Sequence, residues 1–254
     1  MTNSKSYITS DLHLFHQRII KYAERIDYEC TESDTKRMSY DIVTHINKAV
    51  PDSPGIVLWN LGDVFYGPMT SDKSYDELKH IVSIMKGNYR RLKLVLGNHD
   101  KQFKELYLHH AKDFHWIECN DTAVEIFHKL GFDDVYDYPV LNGKFIFSHE
   151  PVFLKNSEFL NIHGHTHQMF VDENYFTWEI ENHDMVKKAF SDFDHPSIAN
   201  IDLDKRWQDW EEYIVNPHKY INACWDAMNS HHILEMISMP DGCVDVDGLQ
   251  TKTT

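Results

Sequence analysis

Positive charge is scarce in this sequence: 25 Lys and Arg stand against 40 Asp and Glu, a formal net charge of −15. Tight nonspecific binding to a polyanion is therefore disfavoured, because that affinity comes mainly from Lys and Arg displacing counterions from phosphates. The count alone does not exclude a nucleic-acid substrate. Cysteine is also sparse, at Cys30, Cys119, Cys224 and Cys243, widely spaced and without a Cys-x-x-Cys pair. Reduced thiols in a cytoplasmic protein are expected. No apolar run approaches the roughly 18 residues that suggest a membrane span. The segment Met1 to Ser6 leads straight into a strand, without the charged and then apolar stretch of a secretory signal. A soluble cytoplasmic protein is the expectation, with the oligomeric state left open.

At 254 residues and 30.0 kDa the chain is long enough for one sizeable α/β domain with an appendage. Ser6 to Thr9 reads as a strand. From Asp34 to Lys48, Met38, Ile42, Val43 and Ile46 recur at helical spacing, and the pattern stops before Pro51. The nearly continuous apolar run Gly55 to Leu61 predicts a strand buried on both faces. Ser74-x-x-Glu77 has the form of a capping box; the helix behind it carries Leu78, Ile81, Val82 and Met85 on one face and ends at Gly87. Leu92 to Leu96 is the next strand, and 101 to 135 reads as one or two helices.

Asn142-Gly143 marks a hairpin before a strand from Lys144 to Ser148. Leu160 to Ile162 and Tyr175 to Glu181 read as further strands. The β-α-β-α order predicts a layered α/β domain over residues 1–194. Beyond it, 195–254 is expected to be a helical appendage packed on the core. One of its helices would start at Asp202 and carry Trp207, Trp210 and Ile214; another would open at Asn216-Pro217 and carry Tyr220, Ile221, Cys224, Trp225 and Met228. The residues from Asp241 onward are expected to fray.

What the chain has in quantity is histidine, and much of it falls in short blocks with Asp and Asn. In order these are Asp11-Leu12-His13, Gly62-Asp63, Gly97-Asn98-His99-Asp100, Ser148-His149 and Gly164-His165-Thr166-His167. Each closes a predicted strand, where a rigid sheet can hold the side chains. Carboxylate, amide oxygen and neutral imidazole together suit hard and borderline divalent ions, and one carboxylate can bridge two of them. Two metals about 3.5–4 Å apart can share a water, lower its pKa and stabilise both ends of an in-line displacement at phosphorus. Hydrolysis of a phosphate ester is the natural inference.

The five blocks resemble the calcineurin-like metallophosphoesterase superfamily, whose pattern is Asp-x-His, Gly-Asp, Gly-Asn-His-Asp/Glu, His and Gly-His-x-His. The resemblance covers roughly residues 6 to 183. It is strongest to the small bacterial and phage phosphoesterases, through Ser10-Asp11-Leu12-His13, His16, Ile19-Ile20, Arg25 and the segment Tyr138 to Gly143; a phage protein would act in the host cytoplasm. The resemblance implies a sandwich of two mixed β-sheets flanked by helices. It also implies that Asp11, His13, Asp63 and His167 hold a first metal, and that Asp63, Asn98, His149 and His165 hold a second, with Asp63 as the bridge. Manganese is expected, with Fe, Zn, Ni or Co as alternatives. Attack would come from a hydroxide shared by the metals. His99 is implied as the acid that protonates the leaving oxygen, with a carboxylate partner expected to keep it charged; Asp100 is the candidate for that partner.

The protein phosphatases of the superfamily continue the second block as Gly-Asp-x-x-Asp-Arg-Gly, whereas here Tyr66 follows Val64-Phe65 and no Arg is present. Protein phosphatase activity is therefore not expected, and the phosphate clamp must lie elsewhere. Arg25, Arg18 and His16, shortly after the first block, are candidates for substrate contact. His163 reads as a buried, hydrogen-bonded residue, and the remaining histidines and tryptophans as surface or packing residues. The leading reading is hydrolysis of a small, nucleotide-like phosphate monoester or diester. A nuclease is the alternative, to be recognised by Lys and Arg flanking the metal mouth. A scaffold that binds metal without catalysis would lack a ligand or the catalytic His, and none is missing.

Overall fold

The computed structural model describes residues 5–66, 75–110, 115–143, 145–152, 159–165, 167, 220–225, 232–237 and 250–253. In chain order, β1 (Lys5–Thr9) leads through α1 (Ile19–Tyr22) and α2 (Glu32–Ala49) to β2 (Ile56–Asn60), then through α3 (Tyr75–Lys86) to β3 (Arg91–Val95). Three helices follow, α4 (Asn98–Lys101), α5 (Phe103–His110) and α6 (Ala123–Leu130). After them come β4 (Asp134–Tyr136), β5 (Val140–Asn142), β6 (Phe145–Ser148), β7 (Leu160–His163), β8 (Tyr220–Asn222), β9 (His232–Ile237) and β10 (Gln250–Thr253).

The helices form where the pattern predicts them. Thr31 caps α2, its side chain accepting from the Asp34 N–H, and Met38, Ile42, Val43 and Ile46 are all buried. In α3 the predicted face of Leu78, Ile81, Val82 and Met85 is buried. Ser74 lies outside the described residues, and Glu77 pairs with Lys36 at 2.7 Å. Thr122 and Glu125 exchange both bonds of a capping box at the start of α6, with the Thr-x-x-Glu spacing such a box requires.

The strands form two mixed sheets. One has the order β10-β9-β1-β2-β3-β4, the other β5-β6-β7-β8. Neighbours β1, β2, β3 and β4 run parallel, as helix-connected strands do, and β9 and β10 extend the edge antiparallel. In the second sheet β5 and β6 form the Asn142-Gly143 hairpin, and β6, β7 and β8 run parallel. Alternate residues of the first sheet face opposite layers. Tyr7, Leu58, Leu92 and Leu94 join the core under the helices, while Ile8, Trp59 and Val95 meet Phe145, Phe147 and Ile162 of the second sheet. The result is a sandwich of two mixed sheets flanked by helices.

The C-terminal expectation needs correction. Tyr220 and Ile221, placed on a helix by their spacing, are in strand β8; Cys224 bridges to Ser10; and Trp225 is buried in the helix-side core. Aromatic and β-branched residues fit a pleated surface as readily as a helix, and the edge of β7 supplies the backbone partners that decide the matter. The tail expected to fray contains β10, paired with β9. The segment expected to carry Trp207, Trp210 and Ile214, and the strand expected over Tyr175 to Glu181, lie outside the described residues. Among the described residues no helix is long and apolar enough to cross a membrane.

Candidate metal centre

The five blocks converge because they follow parallel strands. Asp11 and His13 follow β1, Asp63 follows β2, Asn98 and His99 open the helix after β3, His149 follows β6, and His165 and His167 follow β7. All therefore lie at the C-terminal edge of their sheets. The chain must bend sharply there: Asp11, His13, Asp63, His165 and His167 adopt positive φ between 47° and 69°. Such a conformation is costly for residues with a side chain and concentrates where function over-determines it. Close approach also explains the glycines of the blocks. A Cβ on Gly97 would overlap Oδ1 of Asp63, and one on Gly62, itself at φ 106°, would lie 2.5 Å from Nδ1 of His149.

At one end Oδ1 of Asp11 is 3.9 Å from His13 Nε2 and 3.6 Å from His167 Nε2, and the two imidazole nitrogens are 3.2 Å apart. Oδ1 of Asp11 is buried and accepts no hydrogen bond. At the other end His149 donates from Nδ1 to the Leu61 carbonyl at 2.9 Å, which leaves its Nε2 facing Asn98 Oδ1 at 3.0 Å, His165 Nδ1 at 3.1 Å and Asp63 Oδ2 at 3.4 Å. Asp63 lies between the ends, its Oδ2 also 3.8 Å from Nε2 of both His13 and His99. Donor atoms that converge in this way can hold a cation, and their chemistry fits a divalent metal. Asp11, His13 and His167, and Asp63, His149 and His165, form sets able to hold one; His13, Asp63 and His99 form a third.

The electrostatics agree. Burial works against charge on His149, yet the carboxylates of Asp63 and Asp11 push its pKa up to about 10, so a proton takes the cation's place. Burial would raise Asp63, but His149 and His13 hold its carboxyl well below the usual range. Burial lowers His13 well below its ordinary value, His165 to about 4 and His16 to about 3.

Not every predicted site residue has its expected place. Asp100 was expected to partner His99. Instead its Oδ2 accepts from the N–H groups of Asp63 at 2.7 Å and Gly97 at 3.0 Å, and its Oδ1 from Val64 at 3.0 Å. Lying in the first turn of α4, it points back at orphan amides. It holds the Asp63 turn against the Gly97 turn, and Nδ1 of His99 is buried without a partner. Arg25 was expected at the substrate. It is buried, donating to the carbonyls of Leu12 at 2.9 Å and Asp11 at 3.1 Å, and so secures the first block from behind. His163 is buried and bonded through Nδ1 to the Gly164 carbonyl, as its reading requires.

Three contributors went unseen in the sequence. Cys224 Sγ is 3.2 Å from both Asp11 Oδ2 and the His167 N–H, and Asn222 donates to the His167 carbonyl at 2.9 Å. They are too far from the blocks in sequence for local spacing to reveal them. Tyr66, singled out only as a departure, stacks on His16 with centroids 3.9 Å apart and meets the His99 ring edge-on at 4.5 Å.

Among the described residues, two cavities open on the cluster, and their linings share no residue. The first, about 400 Å³, is lined by His13, His99 and His167 and by His16, Arg18 and Tyr66 among others. The second, about 290 Å³, is lined by Asn98 and His149 with Lys101, Asp137, Tyr138 and Glu150 prominent around them. Arg18 thus reaches the site and Arg25 does not.

A model of the calcineurin-like phosphoesterase family matches residues 4–234. No curated protein matches the chain. Among solved structures, a protein of unknown function from Aquifex aeolicus is 25% identical, over 65% of this chain and 80% of its own, with a TM-score of 0.42.

Proposed function

The chain belongs to the calcineurin-like phosphoesterase family, and we propose that it hydrolyses a small, nucleotide-like phosphate ester with two divalent ions. The observation that carries this reading is the pair of lone-pair clusters joined through Asp63. Asp11, His13, Asp63 and His167 would hold one ion, and Asp63, Asn98, His149 and His165 the other. Manganese is the proposed metal, although Fe, Zn, Ni and Co suit the same donors. Bound ions of this kind make water nucleophilic near neutral pH and neutralise phosphoryl charge.

The protein's own residues supply the rest. His99 lines the first cavity, one residue beyond the proposed ligand Asn98, and is the proposed donor of a proton to the leaving oxygen. Burial lowers its pKa, while the carboxylates of Asp63 and Asp11 oppose that. Arg18, exposed in the lining of the same cavity, is the proposed phosphate contact. The partner is a small molecule in the cytoplasm.

A nucleic-acid substrate is less well supported. The basic stretch at Arg90 and Arg91 lies at the start of β3, the end of that strand away from Asn98. Arg90 is buried against the carbonyls of Lys86 and Val50, and Arg91 pairs with Asp134. Around the two cavities the described lining contains one Arg and one Lys. Manganese-stimulated hydrolysis of p-nitrophenyl phosphate or bis-p-nitrophenyl phosphate is the expected result, abolished by Asp63→Asn and His149→Ala. Retained activity in either variant would sink the proposal. His99→Asn should lose at least about 100-fold in kcat with metal content unchanged; loss of metal would make His99 a ligand.

A further inference from the structure

The segment 222–225, at the end of β8, joins the two sheets beside the first set of ligands. The Ala223 N–H donates to the His163 carbonyl at 2.7 Å, continuing the parallel pairing of β8 with β7. The Trp225 N–H donates to the Ser10 carbonyl at 2.9 Å, just past β1. Between these two bonds Cys224 is fully buried, in a bridge with Ser10. Its side chain therefore lies where the turn that carries Asp11 meets the turn that carries His167.

Cys224 Sγ donates to Oδ2 of Asp11 at 3.2 Å and accepts from the His167 N–H at 3.2 Å. Oδ2 also accepts from the His165 N–H at 2.9 Å, so two protein donors hold it. Among the described residues Oδ1 accepts from none, and it is the oxygen that faces His13 Nε2 at 3.9 Å and His167 Nε2 at 3.6 Å. A carboxylate fastened by one oxygen offers the other in a fixed direction. A thiol is a weak donor, so it orients Asp11 while leaving most of the carboxylate charge for an ion. Asn222 completes the brace: its Nδ2 donates to the His167 carbonyl at 2.9 Å, and its Oδ1 accepts from the Cys224 N–H at 2.9 Å.

The second set is braced from elsewhere. Asp100 bonds the N–H groups of Asp63 and Gly97, and the Leu61 carbonyl holds the His149 ring. Resting on the two-ion reading above, we infer that Cys224 is a positioning residue for one ion alone, that of Asp11, His13 and His167, and that it selects Oδ1 as the oxygen Asp11 presents. Without the thiol, Oδ2 keeps one donor of the two and the carboxylate can turn, while the bonds of Asp100 and His149 stay in place. Strand β8 lies far from the first four blocks in sequence, and through Cys224 and Asn222 it sets the affinity of one ion independently of the other.

The test is manganese titration of the full chain by calorimetry, with electron paramagnetic resonance on the loaded protein. The parent should bind two ions and show the signal of a coupled manganese pair. Cys224→Ala should weaken one ion by about tenfold or more and the other by less than about twofold, so that at low manganese the pair signal gives way to that of an isolated ion. Cys224→Ser keeps a donor and should recover most of the loss. Asn98→Ala removes a proposed ligand of the second ion, and the double variant Cys224→Ala/Asn98→Ala should hold neither ion tightly, because the two changes act on different ions. If Cys224→Ala does not fold, Asn222→Ala should show the same selective loss. Equal weakening of both ions, unchanged binding, or one tight ion surviving in the double variant would overturn the inference. A parent that binds only one ion would bring down the two-ion reading; loss of that ion in Cys224→Ala would still support the positioning role, and its retention would overturn it. A parent that binds none would overturn both.

Discussion

Asp100 and Arg25 show how a residue can brace a candidate metal site through the backbone that carries its ligands. Each uses its charged group on backbone: Asp100 on three N–H groups around the Asp63 turn, Arg25 on the two carbonyls of Asp11 and Leu12. Removing such a group leaves buried polar atoms unpaired, at a cost of about 1–3 kcal/mol each. Supporting residues of this kind also tune affinity, typically by 10–100-fold. Arg25→Ala and Asp100→Asn are each expected to weaken metal binding by about tenfold or more while leaving KM with saturating metal within about twofold. Metal titration beside steady-state kinetics checks this; a raised KM with normal metal affinity in Arg25→Ala would restore its substrate role.

Elements decide how tightly the blocks can approach. The turn after β3 passes so close to Asp63 that only hydrogen fits on the Gly97 Cα. Gly97→Ala should therefore lose metal binding while its far-UV circular dichroism stays near that of the parent, because the strand and α4 have other support. The sequence marked this glycine as part of a block and offered no reason for it. Helices α2 and α3 were legible from periodicity because their burial is one-sided and local. Strand β8 was not, because residues 220–225 satisfy a helical spacing, and only the edge of β7 and the Ser10 bridge tip the balance toward extended backbone. Cys224 reaches Asp11 through that strand.

At the scale of the whole molecule, two sheets bring their C-terminal edges together and concentrate negative charge there. The raised pKa of His149 has a thermodynamic consequence. Relative to an ordinary histidine value of 6.5, a folded value of about 10 stabilises the metal-free fold fully below pH 6.5, and that stabilisation is lost as pH rises toward 10. Metal must displace the same proton. Binding near neutral pH should release protons, seen calorimetrically as a dependence on buffer ionisation enthalpy, and affinity should rise with pH. Uptake without proton release would contradict the protonated state of His149. Between the sheets, Trp59 is buried against Phe147 at 5.0 Å, and Trp59→Ala is expected to cost about 3–5 kcal/mol in denaturant unfolding.

The order and chemistry of the five blocks, the apolar runs before them and the helical faces between them were determined by the sequence alone. They depend on local periodicity and on the donor atoms each residue carries, which no fold alters. Which imidazole faces which carboxylate, the turning of Asp100 and Arg25 onto backbone, the reach of Cys224 and Asn222, and the two cavities beside the cluster were decided only by the tertiary structure. Each of these is a contact between segments far apart in the chain, and such contacts exist only once the two sheets have packed.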